Sequence, residues 1–257
     1  MSLTAKEPKT SEAGHWYTKD GLPRYTVIGA NGRERPTTLR DARKENLLPS
    51  VTTILKVANN PALNNWIQKQ VLLAALTLPR IESENDDSFI ERVLIDSKEQ
   101  GRQAADEGSA IHGAIQAYFE GAEDKNFVAH RQGCVSALNA LYGDRVWIPE
   151  LSFGHELGYG GKVDLHCTEG DGFVVDIKTK DFDDPSKVEG YDEHLMQLSA
   201  YRVGLGIPHA KCANVFVSRT KAGLTATKEW TEEDLERGWN MFYALLRYWQ
   251  IKNNYEG

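Results

Sequence analysis

Cysteine is scarce in this chain: Cys134, Cys167 and Cys212 are the three among 257 residues, and no pair has C-x-x-C spacing. That scarcity argues against a zinc ribbon, an iron–sulfur cluster and a disulfide framework, and it fits a reducing compartment. Long apolar runs are lacking too. The nearest approach is "VLLAALTL" at 71–78, far short of the ~20 residues that cross a bilayer as a helix. The opening "MSLTAKEPKTSEAGHW" has no apolar signal core, so a cytoplasmic protein without a membrane partner is expected. Internal repeats and low-complexity tracts are missing as well.

What is present reads as an ordinary globular protein, with 40% apolar and 26% charged residues. The length suits one large domain, or a domain with a substantial extension. Net charge is −7, but it is unevenly spread. Residues 1–80 hold 12 Lys/Arg against 6 Asp/Glu, and residues 81–257 hold 18 against 31. A chain with an acidic body and a basic N-terminal part can bind a phosphate backbone through the basic part.

Hydrophobic patterning predicts a hairpin over 15–39 around Asn31-Gly32 and a helix entrance at Pro49-Ser50. Helices are expected over 61–78, over 86–121 with a break near Gly108, and over 127–143. The period then changes. "RVWIPELSFG", "GYGGKVDLHCT" and "GFVVDIKTK" read as an antiparallel meander of three strands. A helix over 193–206, a hairpin around "KAG" and a last helix capped by Thr231 and Asp234 complete the chain.

Two of those strands carry a carboxylate where a sheet would favour valine. Asp164 and Asp176 project from neighbouring strands, and opposed side chains in an antiparallel pair approach within a few ångströms. They repel unless a hard cation bridges them, and oxygen ligands suit Mg²⁺ or Mn²⁺. Lys178 lies two residues beyond Asp176, on the same strand face. A lysine beside a metal can orient a water nucleophile and neutralise charge developing on a phosphate. Gln197 and Tyr201 are four apart and share a helix face. His112 sits in "EGSAIHGAIQ" beside small residues, and Glu150 lies in the strand before Asp164. Each of these features alone also suits a surface ion pair or a core margin.

In order along the chain, G-S-x-x-H, a strand glutamate, G-x-x-D, D-x-K and Q-x-x-x-Y resemble the RecB-like branch of the PD-(D/E)XK nuclease superfamily. The resemblance covers roughly residues 105–220 and the order helix, three strands, helix, strand. It implies an α/β fold with a restriction-endonuclease-like core, a central mixed sheet flanked by helices, over residues 105–257. Residues 1–104 would form an N-terminal hairpin and mostly helical region packed on that core. Asp164 and Asp176 would ligate the metal, joined by His112 and the backbone carbonyl of Ile177, and Lys178 would be the catalytic lysine. Gln197 and Tyr201 would shape the site and contact DNA, with Ser109 and Lys180 also on the substrate side. Glu150 would be an outer or second-metal carboxylate. Val163 stands where the nominal proline would be, and Asp176 where glutamate is commoner. The cysteines of cluster-bearing relatives are missing, so no iron–sulfur cluster is expected.

"LLPSVTTIL…PALNNW" also looks like the opening helices of small phage-type RecB-like exonucleases. From that likeness Arg33, Arg35, Arg40, Arg43 and Lys44 are candidates for backbone contact, and Trp16, Tyr17 or Trp66 for base stacking. The implied function is Mg²⁺- or Mn²⁺-dependent DNA exonuclease activity in recombination or repair, in the cytoplasm of a bacterial or phage-infected host cell. A recombination or single-strand-binding protein would be a further partner. A structure-specific endonuclease, a non-catalytic DNA-binding module with the nuclease fold, and an unrelated phosphohydrolase acting on small molecules stay open as alternatives.

Overall fold

The structure, a computed structural model, describes residues 14–58, 61–122 and 125–257. Its N-terminal part contains β1 (Trp16–Tyr17), β2 (Thr26–Ile28), β3 (Glu34–Pro36), α1 (Leu39–Glu45), β4 (Leu48–Pro49) and α2 (Val51–Leu55). β2 and β3 form the expected hairpin, with Gly32 in its turn at φ 72°, a conformation glycine adopts without a Cβ clash. β1 leaves that hairpin and pairs with β4 instead. Helix α1 has no hydrophobic period to announce it in the sequence. It is fixed by a capping box in which Thr38 and Asp41 exchange side-chain and backbone bonds. Ser50 caps α2 as expected, its Oγ accepting from the Thr53 N–H at 3.0 Å.

Next come α3 (Pro61–Thr77) and α4 (Asp86–Phe119), which pack along each other, and then α5 (Val128–Tyr142). The break expected near Gly108 is absent: α4 runs unbroken for 34 residues. Gly108 serves close approach rather than a turn. A Cβ there would lie 2.5 Å from Thr179 Oγ1, so the glycine lets α4 settle on the end of a sheet strand. Residue 104, the boundary drawn from sequence, falls inside this helix.

The sheet follows. β5 (Ile148–His155), β6 (Tyr159–Cys167) and β7 (Phe173–Lys180) form the antiparallel meander. α6 (Asp192–Gly204) crosses over to β8 (Lys211–Ser218), which runs parallel to β7. β9 (Thr225–Trp230) returns antiparallel, and α7 (Glu232–Asn253) closes the chain with Thr231 as its N-cap. The result is an α/β molecule with a five-stranded mixed sheet in the order β5-β6-β7-β8-β9, flanked by helices.

Each face of the sheet has its own core. Ile111 and Ile115 of α4 and Cys134 and Leu138 of α5 pack on Leu165, Val175, Ala213 and Val215. On the other face Leu195 and Leu198 of α6 and Phe242 and Leu246 of α7 pack on Val163, Val174 and Cys212. Trp16, Leu47, Val51 and Ile54 belong to this second core, so the N-terminal elements are built into the same hydrophobic interior. Val163 and Leu165 are two apart yet lie in different cores, which violates strand alternation. β6 therefore switches face at Asp164. On the facing strand Glu150 takes φ 55°, left-handed backbone that costs a non-glycine residue about 1–2 kcal/mol. The two irregularities sit opposite each other in the β5–β6 ladder.

Candidate active site

The β6–β7 ladder ends at the pair Leu165–Val175. The next opposed pair would be Asp164 and Asp176, and there the strands part. The Ile177 N–H, left without a ladder partner, donates to Asp164 Oδ2 at 2.7 Å. The N–H and C=O of one strand residue project toward the same edge, so the Ile177 carbonyl faces this gap as well.

Three side chains converge on the gap. Among the described residues, His112, Glu150 and Asp164 form a group whose candidate ligand atoms all lie within 4.8 Å of one another. His112, projecting from α4, is 3.2 Å from Asp164 Oδ2 through Nε2. Glu150 reaches in through its left-handed backbone and is ion-paired with Lys162. One imidazole and two carboxylates make a nitrogen–oxygen donor set that fits Mg²⁺ or Mn²⁺.

Asp176 is fully buried, and each of its oxygens has a partner. Lys178 Nζ donates to Oδ1 at 2.7 Å and Asn214 Nδ2 donates to Oδ2 at 2.8 Å. Lys178 Nζ also donates to Gln197 Oε1 at 3.1 Å, and Gln197 Nε2 donates to the Tyr201 hydroxyl at 2.9 Å. Lysine has donors only, so it must face the carbonyl end of the Gln197 amide. The four-residue spacing of Gln197 and Tyr201 on α6 therefore serves to hold the lysine from one side while Asp176 holds it from the other.

Electrostatics follow this geometry. Burial pushes the Asp176 carboxyl above the ordinary range, and nearby Asp164 adds to that, while Lys178 opposes it. Burial would also raise Asp164, but the His112 hydrogen bond and charge, with Lys178 and the Ile177 N–H, outweigh it and leave Asp164 low. Burial would lower Lys178, yet Asp176 and Asp164 hold its ammonium above the usual value. His112 behaves alike: burial is outweighed by Asp164, then by Glu150 and Asp176, and its value is raised. Two carboxylates pushed in opposite directions beside a charged lysine are the kind of perturbed group that marks a functional site.

Two cavities meet here, both lined by His112, Ile177 and Lys178. The smaller, about 360 Å³, is bounded by Tyr17, Tyr25, Ser50 and Lys162 as well as Asp164, Gln197 and Tyr201. The larger, about 660 Å³, is lined by Trp66, Ser109, Lys180 and Arg219. Ser109 turns its hydroxyl to its own helix, on the Ala105 carbonyl at 2.8 Å, and Lys180 lies over the Tyr191 ring.

The basic N-terminal candidates lie elsewhere. None of Arg33, Arg35, Arg40, Arg43 and Lys44 lines either cavity. Arg35 is held in a two-pronged pair with Asp41 at 2.7 and 2.8 Å, and Arg43 donates to the Asn253 carbonyl. Trp16 is a correction: it is buried against Trp249 and Tyr255 in the core, where no base can stack on it. Tyr17 is buried but borders the smaller cavity, and Trp66 is exposed at the larger one. Sequence reading missed Asn214, Lys162 and Tyr25. The polar break in the apolar strand "CANVFV" was the available signal for the first of them.

No family model and no curated protein matches this chain. A solved structure described as "Crystal structure of SSO0001" aligns with 72% of this chain and 87% of its own, at 16% identity and a TM-score of 0.33. A likeness of that degree carries no functional argument.

Proposed function

We propose that this chain is a metal-dependent deoxyribonuclease with a PD-(D/E)XK core, hydrolysing DNA phosphodiester bonds from strand ends in recombination or repair. The observation that carries the reading is the gap between β6 and β7. There an imidazole and two carboxylates converge beside a lysine that two acceptors hold in place. His112, Asp164 and Glu150 would hold Mg²⁺ or Mn²⁺ with the Ile177 carbonyl beside them, while Asp176, expected from sequence as a ligand, lies outside that group with its oxygens taken by Lys178 and Asn214. When bound, the cation supplies Lewis acidity toward the scissile phosphate and acidifies water.

The remaining steps belong to the protein's own groups. Lys178 orients the attacking water and stabilises charge building on the phosphate oxygens. Asp176 and Gln197 hold the ammonium at one position, which spares the reorganisation a free lysine would need. Tyr201 keeps its proton, because burial and then the Asp176 and Asp164 charges drive its value well above that of a free phenol. It can therefore donate a hydrogen bond into the smaller cavity. The larger cavity offers Trp66 as a surface for base stacking and Ser109 and Lys180 as polar edges.

Action at ends, and a place in recombination or repair with a single-strand-binding or recombination protein as partner, rest on the motif resemblance. Among the described residues no helix is long and apolar enough to cross a membrane. Digestion of linear and closed-circular DNA with Mg²⁺, Mn²⁺ or a chelator tests the function. Linear DNA should be degraded only with metal, while circles persist. Intact linear DNA with both metals would contradict the reading.

A further inference from the structure

Asp176 lies in the middle of the sheet with none of its surface exposed. A carboxylate so placed is tolerated only if both oxygens are satisfied. Lys178 serves Oδ1 from the cavity side, and the group serving Oδ2 comes from the sheet itself. β7 and β8 run parallel with Asp176 in register with Asn214, so the two side chains leave the sheet side by side on the α6–α7 face. Asn214 is also fully buried, and its Nδ2 donates to Asp176 Oδ2 at 2.8 Å.

An asparagine amide can turn either end toward a neighbour, and the wrong end would set a carbonyl against the carboxylate. The next strand prevents that. Trp230 of β9, buried in the same core, donates Nε1–H to Asn214 Oδ1 at 2.9 Å. The indole nitrogen is a donor only, so it accepts no other end of the amide. Three adjacent strands thus pass one polarity along: Trp230 sets Asn214, Asn214 holds Asp176, and Asp176 presents its remaining oxygen to Lys178. Alternatives fit poorly. Aspartate at 214 would oppose a second carboxylate to Asp176, and an apolar residue would leave Oδ2 unpaired.

We infer that Asn214, oriented by Trp230, is a positioning residue for the proposed reaction: it acts through Asp176 to hold Lys178 at the metal site. The inference rests on the nuclease reading. Asn214 lines neither cavity, so its loss should alter turnover and leave DNA binding alone.

The test compares wild type, Asn214→Leu and Trp230→Phe on an end-labelled oligonucleotide with Mn²⁺. It measures kcat and KM separately, alongside thermal midpoints and the side-chain amide signals of Asn214 in ¹⁵N spectra. Loss of such an outer partner typically costs about 10–100-fold. Asn214→Leu should therefore lower kcat about 100-fold and Trp230→Phe about 10-fold, with KM within twofold. Trp230→Phe keeps the ring packing and removes the N–H, so it separates positioning from folding. In its spectrum the Asn214 amide signals should move. Unchanged kcat in folded Trp230→Phe and Asn214→Leu would overturn the inference, as would losses that fall on KM. Absence of cleavage by the wild type would overturn the nuclease reading itself.

Discussion

At the residue scale, Asp176 and Asp164 are two aspartates in one gap, and their neighbours give them different duties. Asp176 is enclosed by Lys178 and Asn214, while Asp164 faces His112 and the Ile177 N–H. The second arrangement would make binding of the proposed cation depend on pH. His112 is held above the ordinary histidine value, because Asp164, Glu150 and Asp176 outweigh its burial. Below that raised value the ring carries a proton that a metal must displace, so affinity rises with pH through it and then levels. Calorimetry of Mn²⁺ binding in buffers of different ionisation enthalpy should report proton release below that raised value and none well above it. Uptake of protons, or affinity that falls with rising pH, would contradict the assignment of His112 as a ligand.

At the element scale, the motif "GYGGKVD" has a second use. Gly160 lets β1 lie over β6: a Cβ there would meet the Phe153 carbonyl at 2.8 Å and Tyr17 Cβ at 2.9 Å. Both obstacles are main chain or its first side-chain carbon, which cannot swing away. Gly160→Ala should therefore cost about 1–3 kcal/mol, as overpacking does, and should shift Tyr17 at the smaller cavity. A denaturant midpoint equal to wild type would show that β1 does not press on β6 as described.

Elements with strong periodicity or caps were legible: the meander, α6, α7 and the α2 cap. So was the placing of charged side chains on adjacent strands, Asp164 on β6 and Asp176 and Lys178 on β7. Helix α1 was hidden because its signal is one capping box on seven residues. The pairing of β1 with β4 was hidden because two-residue strands have no period. Glycine misled at Gly108, where its small size serves packing, not a turn. Glu150 was ambiguous in sequence because its approach to His112 and Asp164 depends on one left-handed residue. Asn214 and Trp230 were invisible because a parallel crossover sets their alignment with Asp176.

At the scale of the whole molecule, a cation that binds the folded site and not the unfolded chain must stabilise the fold by mass action. At a metal concentration of 100 Kd that amounts to about 2.7 kcal/mol. For a chain of this length it should raise the thermal midpoint by roughly 5–10 °C. Mn²⁺ should produce this rise in the wild type and much less in Asp164→Asn. Equal rises in both would place the cation elsewhere.

The most direct test of the account is a digestion assay with Mg²⁺ and Mn²⁺ on the wild type and Lys178→Ala. It uses 5′- and 3′-labelled single strands, duplexes and a closed circle. Metal-dependent loss of linear substrates by the wild type, reduced at least about 100-fold in a folded Lys178→Ala, is the expected result. Equal cleavage by the two proteins would contradict the role of the lysine. No cleavage by either, with DNA still bound, would leave a binding module in place of the enzyme.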